Sequence, residues 1–199
     1  MKKIFGLVAL LALSSLPTLA QAGFEGTTPK LEVEGGYSFL SWGLPASDGR
    51  LKMNGWQAEA NYNVNKYLGL ALDVAGTKNY QGANGTTGMD TFMVGPRFFP
   101  VGHHKLTPFV HAMAGLGRYS LYLPAITIDS VTYPSFSSSE NRLAFGFGGG
   151  IDAAVNNTVA IRVAQVDYER TVFNASQNLP AQNNFRFSAG VIFRFGGKS

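Results

Sequence analysis

The stretch NNFRFSAGVIFRF, residues 183–195, decides the fold. Phe185, Phe187, Val191, Phe193 and Phe195 alternate with Arg186, Ser188, Gly190 and Arg194. Alternation with period two marks a β-strand with two unlike faces. One face here is strongly apolar and the other is small, polar and charged. The fold turns on which medium meets each face.

The same pattern recurs in seven segments upstream. Leu31, Val33, Tyr37 and Phe39 alternate with Glu32, Glu34, Gly36 and Ser38, and Trp56, Ala58, Ala60 and Tyr62 with Gln57, Glu59 and Asn61. Further segments centre on Leu68–Val74, Phe92–Phe98, Val110–Leu116, Leu143–Ile151 and Val159–Val163. Eight such strands suit a soluble barrel or sandwich with the apolar face inward, or a membrane barrel with the apolar face toward lipid.

Three features select the membrane barrel. The apolar face carries the large side chains, whereas the polar face is rich in Gly, Ala and Ser, as a narrow filled lumen requires. That polar face collects Glu32, Glu34, Glu59, Asp73 and Asp152 against Arg97, Arg142, Arg162, Arg186 and Arg194, with no lysine. Arginine is the forked donor suited to enclosed carboxylates. Finally, long connections (42–52, 77–88, 121–140, 171–183) alternate with short ones (63–66, 99–106, 153–158). Outer-membrane barrels show short periplasmic turns and long external loops. The expected fold is an all-β, eight-stranded antiparallel up-and-down transmembrane barrel, closed because an open sheet edge cannot be satisfied in hydrocarbon.

The first 22 residues fit an export signal. Lys2 and Lys3 precede the apolar run Ile4–Leu13, and Ala20-Gln21-Ala22 forms a small-x-small cleavage site. The expected organisation is a signal peptide over 1–22 and one barrel domain over 23–199. Cleavage removes two of the 16 basic residues and no acidic one, lowering the formal charge from +4 to +2. No Lys/Arg cluster marks a nucleic-acid partner. The chain has no cysteine, so no disulfide contributes to its stability.

Two positions break the pattern. Pro96 interrupts the fourth strand near its short-turn end, where a missing ladder bond costs least. In VAIRVAQVDYERT the apolar parity reverses after Val163, which implies a bulge near Ala164–Gln165 and turns Asp167 into the lumen. Arg118 shares the parity of lipid-facing Leu116 and is expected to reach outward beyond the apolar band.

The stretches YLGLALDVAG, MVGPRFFP, PFVHAMAGLGR, FGFGGGIDAAV, IRVAQVDYERT and FRFSAGVIFRF resemble the small eight-stranded outer-membrane barrels of the OmpA transmembrane domain and OmpX type, the outer membrane protein β-barrel domain. The resemblance spans nearly the whole of residues 23–199. It implies a bacterial outer-membrane location among lipid and lipopolysaccharide. It also implies presentation of the last strand to the barrel-assembly machinery through a terminal aromatic. Phe195 matches that aromatic but is followed by residues 196–199.

No residue set suggests catalysis, a cofactor or a metal site. His103 and His104 read as a solvated turn, because two imidazoles without a third ligand are weak evidence for metal. His111 reads as a packed interior residue; outer-membrane lipid A deacylases use a lipid-facing His and Ser, and His111 has the opposite parity. FGFGGGID lacks the Lys-Ser/Thr of a phosphate loop. The lumen charges are expected to form a closed salt-bridge network. The loop 121–140 is the best external contact candidate, through Tyr122, Tyr133 and Phe136. The chain thus reads as a non-enzymatic outer-membrane protein with a structural and surface-interaction role. The alternative is a narrow pore, or an OmpW-like conduit for small hydrophobic molecules.

Overall fold

A computed structural model describes residues 28–43, 49–81, 85–128, 131–172 and 182–197. The expected signal peptide lies outside these residues. The strands are β1 (Leu31–Gly43), β2 (Arg50–Asn63), β3 (Leu68–Tyr80), β4 (Thr86–Phe98), β5 (Leu106–Leu123), β6 (Ile126–Ile128), β7 (Val131–Tyr133), β8 (Phe136–Ala154), β9 (Val159–Val172) and β10 (Gln182–Phe195). Eight of them close a barrel in the order β1-β2-β3-β4-β5-β8-β9-β10, with β10 returning antiparallel to β1. The closing ladder runs from Leu31 opposite Phe195 to Ser41 opposite Phe185.

The two faces separate as the sequence pattern requires. On β10, Phe185, Phe187, Val191, Phe193 and Phe195 are exposed, while Arg186, Ser188, Ile192 and Arg194 are buried. From Phe185 to Phe195 the strand covers about 33 Å, or about 25 Å along the axis at a tilt near 40°, the height of an outer-membrane apolar band. Outward aromatics mark its ends. Tyr62 and Phe195 flank Leu31 at the short-turn end, and Tyr37 faces Trp56 nearer the long loops.

Local chemistry shapes the short turns. Asn65 Oδ1 accepts the backbone N–H groups of Tyr67 and Leu68 at 2.8 and 3.0 Å. Asn156 Oδ1 does the same for Thr158 and Val159 at 2.8 and 2.7 Å. Such Asx turns replace the ladder where it ends. Gly102 takes a φ of 71°, a left-handed conformation that other residues reach only at a cost. Pro96 lies in β4, and the β4–β5 pairing resumes at Arg97 opposite His111 after Val94 opposite Ala114. The bulge sits at Val163–Ala164, where both side chains face outward, between Ile151 opposite Ala164 and Asp152 opposite Arg162. It is one residue earlier than expected, and it turns Gln165, Asp167 and Glu169 inward.

The loop over 121–140 contains more structure than a connection. β5 and β8 extend above the other strands to pair Leu123 with Phe136. β6 and β7 continue in the same register, Ile126 opposite Tyr133 and Ile128 opposite Val131. Pro124 and Pro134 fall at the break between the two ladders, where a residue without an N–H cannot donate.

Deleting Ala164 would remove the bulge and restore strict alternation, with Val163 outward opposite Ile151 and Gln165, Asp167 and Glu169 still inward. Deleting Val166 instead would turn Asp167 and Glu169 toward lipid. The Ala164 deletion is expected to keep the heat-modifiable band that a folded barrel gives on a gel, and the Val166 deletion to lose it. Loss of the band in the first, or its retention in the second, would contradict the assigned register.

Candidate functional site: the filled lumen and the outer hairpin

Inward positions on all eight barrel strands fill the lumen with side chains. At the short-turn end, Arg194 Nε donates to Glu32 Oε1 at 3.0 Å, and Asn61 and Asn63 donate to Glu32 Oε2 at 3.2 and 3.3 Å. His103 Nε2 lies 3.5 Å from the same oxygen, and its ring packs against Phe99 with centroids 4.4 Å apart. His103 is therefore buried, not solvated as expected from its turn, because the 99–105 connection folds into the mouth of the barrel. Its neighbour His104 is exposed, so the two imidazoles do not address one site.

Above this lies the main charge network. Arg162 takes Asp152 with two donors, Nε at 2.9 Å and Nη2 at 3.2 Å, and reaches Glu59 at 3.2 Å and Gln165 at 2.8 Å. Arg97 also pairs with Glu59. Gln57 donates to Glu34 at 3.0 Å, and Arg162 stands 3.9 Å from that carboxylate. Arg186 lies within 3.1 Å of Asp73, Asp167 and Glu169. His111 joins the two halves. Its Nε2 stands 2.8 Å from Asp167, and Arg97 Nη2 points at its Nδ1 from 3.5 Å. The carboxylate accepts and the guanidinium donates, so the ring proton belongs on Nε2. The guanidinium groups of Arg97 and Arg162 stack over the ring of Phe109, 4.1 and 4.7 Å from its centroid. Such stacking neutralises part of the cost of enclosing a cation.

Glu32, Glu34, Glu59, Asp73, Arg97, Asp152, Arg162, Arg186 and Arg194 all lie buried in the lumen. Arg142 departs from the expectation. It shares the inward parity but stands near the long-loop end, half-buried, with Glu140 at 2.8 Å. It is too far along β8 to meet the network. Glu169 and Phe109 also belong to the network and were not among the residues expected in it. Their signal was parity after the bulge for the first, and an aromatic on the otherwise polar face for the second.

The outer half of the lumen carries apolar clusters among buried Thr77, Thr87, Thr91, Gln182 and Asn184, and so is less polar than expected. Met93 and Met113 pack with Ala71 and Ala144, and beyond them Leu40, Trp42, Met53 and Met89 form a plug. Trp42 stacks on Tyr119 at 5.2 Å and donates Nε1 to Gln182 Oε1 at 2.6 Å. The ionic network and the apolar cluster lie one above the other along the lumen.

Outside the barrel, the β6–β7 hairpin presents exposed Ile126, Val131 and Tyr133, with Tyr122, Leu123 and Phe136 exposed at its base. Thr127 and Thr132 bond to each other at 3.0 Å.

Against known proteins, residues 6–193 match the family described as the outer membrane protein beta-barrel domain. The chain belongs to that family: it is a β-barrel protein of the bacterial outer membrane. The fold matches Neisserial surface protein A at 19% identity, covering 86% of this chain and all of that one, with a TM-score of 0.65. It also matches Ail, the attachment invasion locus protein of Yersinia pestis, at 16% identity, 84% and 99% coverage and a TM-score of 0.60. For OprG of Pseudomonas aeruginosa the values are 10%, 86%, 98% and 0.55. No curated protein matches the sequence.

Removing one partner of a buried pair leaves an uncompensated charge and costs about 3–5 kcal/mol, whereas a partly exposed pair contributes about 1 kcal/mol or less. Arg162→Met is therefore expected to lower unfolding stability in lipid vesicles by about 3–5 kcal/mol, and Arg142→Met by about 1 kcal/mol or less. Urea titration followed by tryptophan fluorescence reads both. Equal effects would contradict the separation of Arg142 from the network.

Proposed function

We propose that this protein is a non-conducting surface-interaction barrel. Its sealed lumen is a structural core, and the hairpin over β6 and β7 is its contact element. The carrying observation is the exposed apolar set Tyr122, Leu123, Ile126, Val131, Tyr133 and Phe136, held on a strand pair that rises above the rest of the barrel. Contiguous apolar side chains outside a membrane mark an interaction surface. The open edges of a two-stranded ribbon offer backbone pairing to an extended partner. Ail, a barrel of the same fold, has been crystallised with the heparin analogue sucrose octasulfate, and a sulfated glycan is one partner chemistry worth assaying here. The narrow-pore alternative is disfavoured by Arg97, Arg162 and Arg186, each at most 1% exposed, and by the plug above them. In this reading the last strand, ending on Phe195, is the segment offered to the barrel-assembly machinery.

Replacing residues 124–135 with Asn-Gly joins the paired residues Leu123 and Phe136 by a two-residue turn and leaves the barrel intact. Bacteria displaying the natural chain are expected to adhere to cultured epithelial cells or immobilised heparin, and those displaying the shortened chain to lose that adhesion. Unchanged adhesion, or none with either chain, contradicts the reading. Planar bilayers holding the folded protein are expected to stay silent, and steady single-channel steps would favour the pore.

A further inference from the structure

The outer wall of β3, β4, β5 and β8 changes character within one register step. Outward Val74, Phe92, Leu116 and Leu143 are aligned neighbours. The next outward positions toward the long loops are Gly76, Asp90, Arg118 and Asn141, and the next again are Lys78, Gly88, Ser120 and Ser139. Each two-residue step advances about 5 Å along the barrel axis at the usual tilt. Arg118 and Lys78 thus stand immediately above the apolar band, on the side of the long loops. That side faces the cell exterior in this family of folds, so the neighbouring lipids are those of the outer leaflet.

A cleft of about 370 Å³ opens at this height, lined by Lys78, Arg118, Ser120 and Ser137–Ser139 among others. Gly88 leaves its floor bare: a Cβ there would approach Ser120 Oγ to 2.6 Å. Arg118 Nη2 donates to Ser139 Oγ at 3.2 Å, which aims the guanidinium along the cleft. Lys78 has no hydrogen-bond or ion-pair partner among the described residues. The wider wall has the same sign. Toward the long loops the outward charges are Arg50, Lys52, Lys78, Arg118 and Arg170, against Asp90 as the one outward carboxylate among the described residues. All the acids of the lumen network are turned inward.

We propose that the cleft between Lys78 and Arg118 is a binding site for the phosphorylated sugar headgroup of an outer-leaflet glycolipid. Two cations on adjacent outward rows bracket a phosphate, and the serine hydroxyls on β5 and β8 suit its sugar hydroxyls. The apolar row of Phe92, Leu116 and Leu143 below receives the acyl chains. The occupant is a lipid and not a soluble anion because that row continues the cleft into the hydrocarbon. The proposal does not rest on the hairpin's role in adhesion, although Tyr122 lines the cleft as well as the hairpin's base.

The test uses the full folded protein in detergent micelles, titrated with bis-phosphorylated lipid A and followed by native mass spectrometry. One lipid A is expected to be retained. Lys78→Gln combined with Arg118→Gln is expected to weaken retention about tenfold or more, since two charge-assisted contacts are lost. Gly88→Leu, which fills the cleft without changing charge, is expected to weaken it similarly. Lys66→Gln combined with Lys105→Gln, at the opposite end, is expected to have no effect. Dephosphorylated lipid A should bind the natural protein no better than phosphorylated lipid A binds the double variant. Heat-modifiable mobility verifies that each variant is folded, which the exposure of both cations favours. Equal retention by the natural protein and the Lys78/Arg118 variant overturns the proposal, as does retention that ignores the phosphates. Displacement of lipid A by equimolar inorganic phosphate or sucrose octasulfate also overturns it, by assigning the cleft to soluble anions.

Discussion

Closure of β10 onto β1 is the constraint from which the rest follows. In hydrocarbon no backbone N–H or C=O can be left to solvent, so the sheet has to end on itself. Eight strands make a narrow cylinder whose interior holds little beyond side chains. Everything polar that the alternation sends inward is then confined in a small, dry volume. Carboxylates in such a place must be paired or bonded, and the forked guanidinium meets that demand better than a lysine. The multiple partners of Arg162 and Arg186 follow from this confinement.

The network is economical in cations. Arg97, Arg162 and Arg186 serve Glu34, Glu59, Asp73, Asp152, Asp167 and Glu169 between them. Arg162 and Arg186 each hold carboxylates from more than one strand, so they tie the barrel across its lumen as well as around its wall. The apolar cluster of Leu40, Trp42, Met53 and Met89 lies above the network. A core built this way links strands that are not neighbours in the sheet.

Much of this was legible in the residues. Period-two alternation gave the strands, and loop-length alternation gave their order relative to the membrane. The parity reversal in VAIRVAQVDYERT located the bulge to within one residue, because a register change moves every later side chain to the other face. Other features depend on three-dimensional placement that parity does not encode. Arg142 has the lumen parity, but its height along β8 sets it beside Glu140, away from the network. His103 lies in a turn, and only the fold of that turn into the barrel mouth brings it to Glu32. Trp42, Met53 and Met89 fall at or beside the connections read as 42–52 and 77–88, and only their common height makes them a plug. The cleft near Lys78 was invisible for the same reason: its residues come from four strands, β3, β4, β5 and β8.

The central claim is the orientation of the two faces, and the absence of native cysteine allows it to be read site by site. Single cysteines at Phe185, Phe187, Val191 and Phe193, spin-labelled in bilayers, should be relaxed strongly by oxygen and weakly by a water-soluble nickel chelate. A label at Ser188 should be accessible to neither. Nickel access at the phenylalanine positions, or oxygen access at Ser188 equal to theirs, would contradict the account.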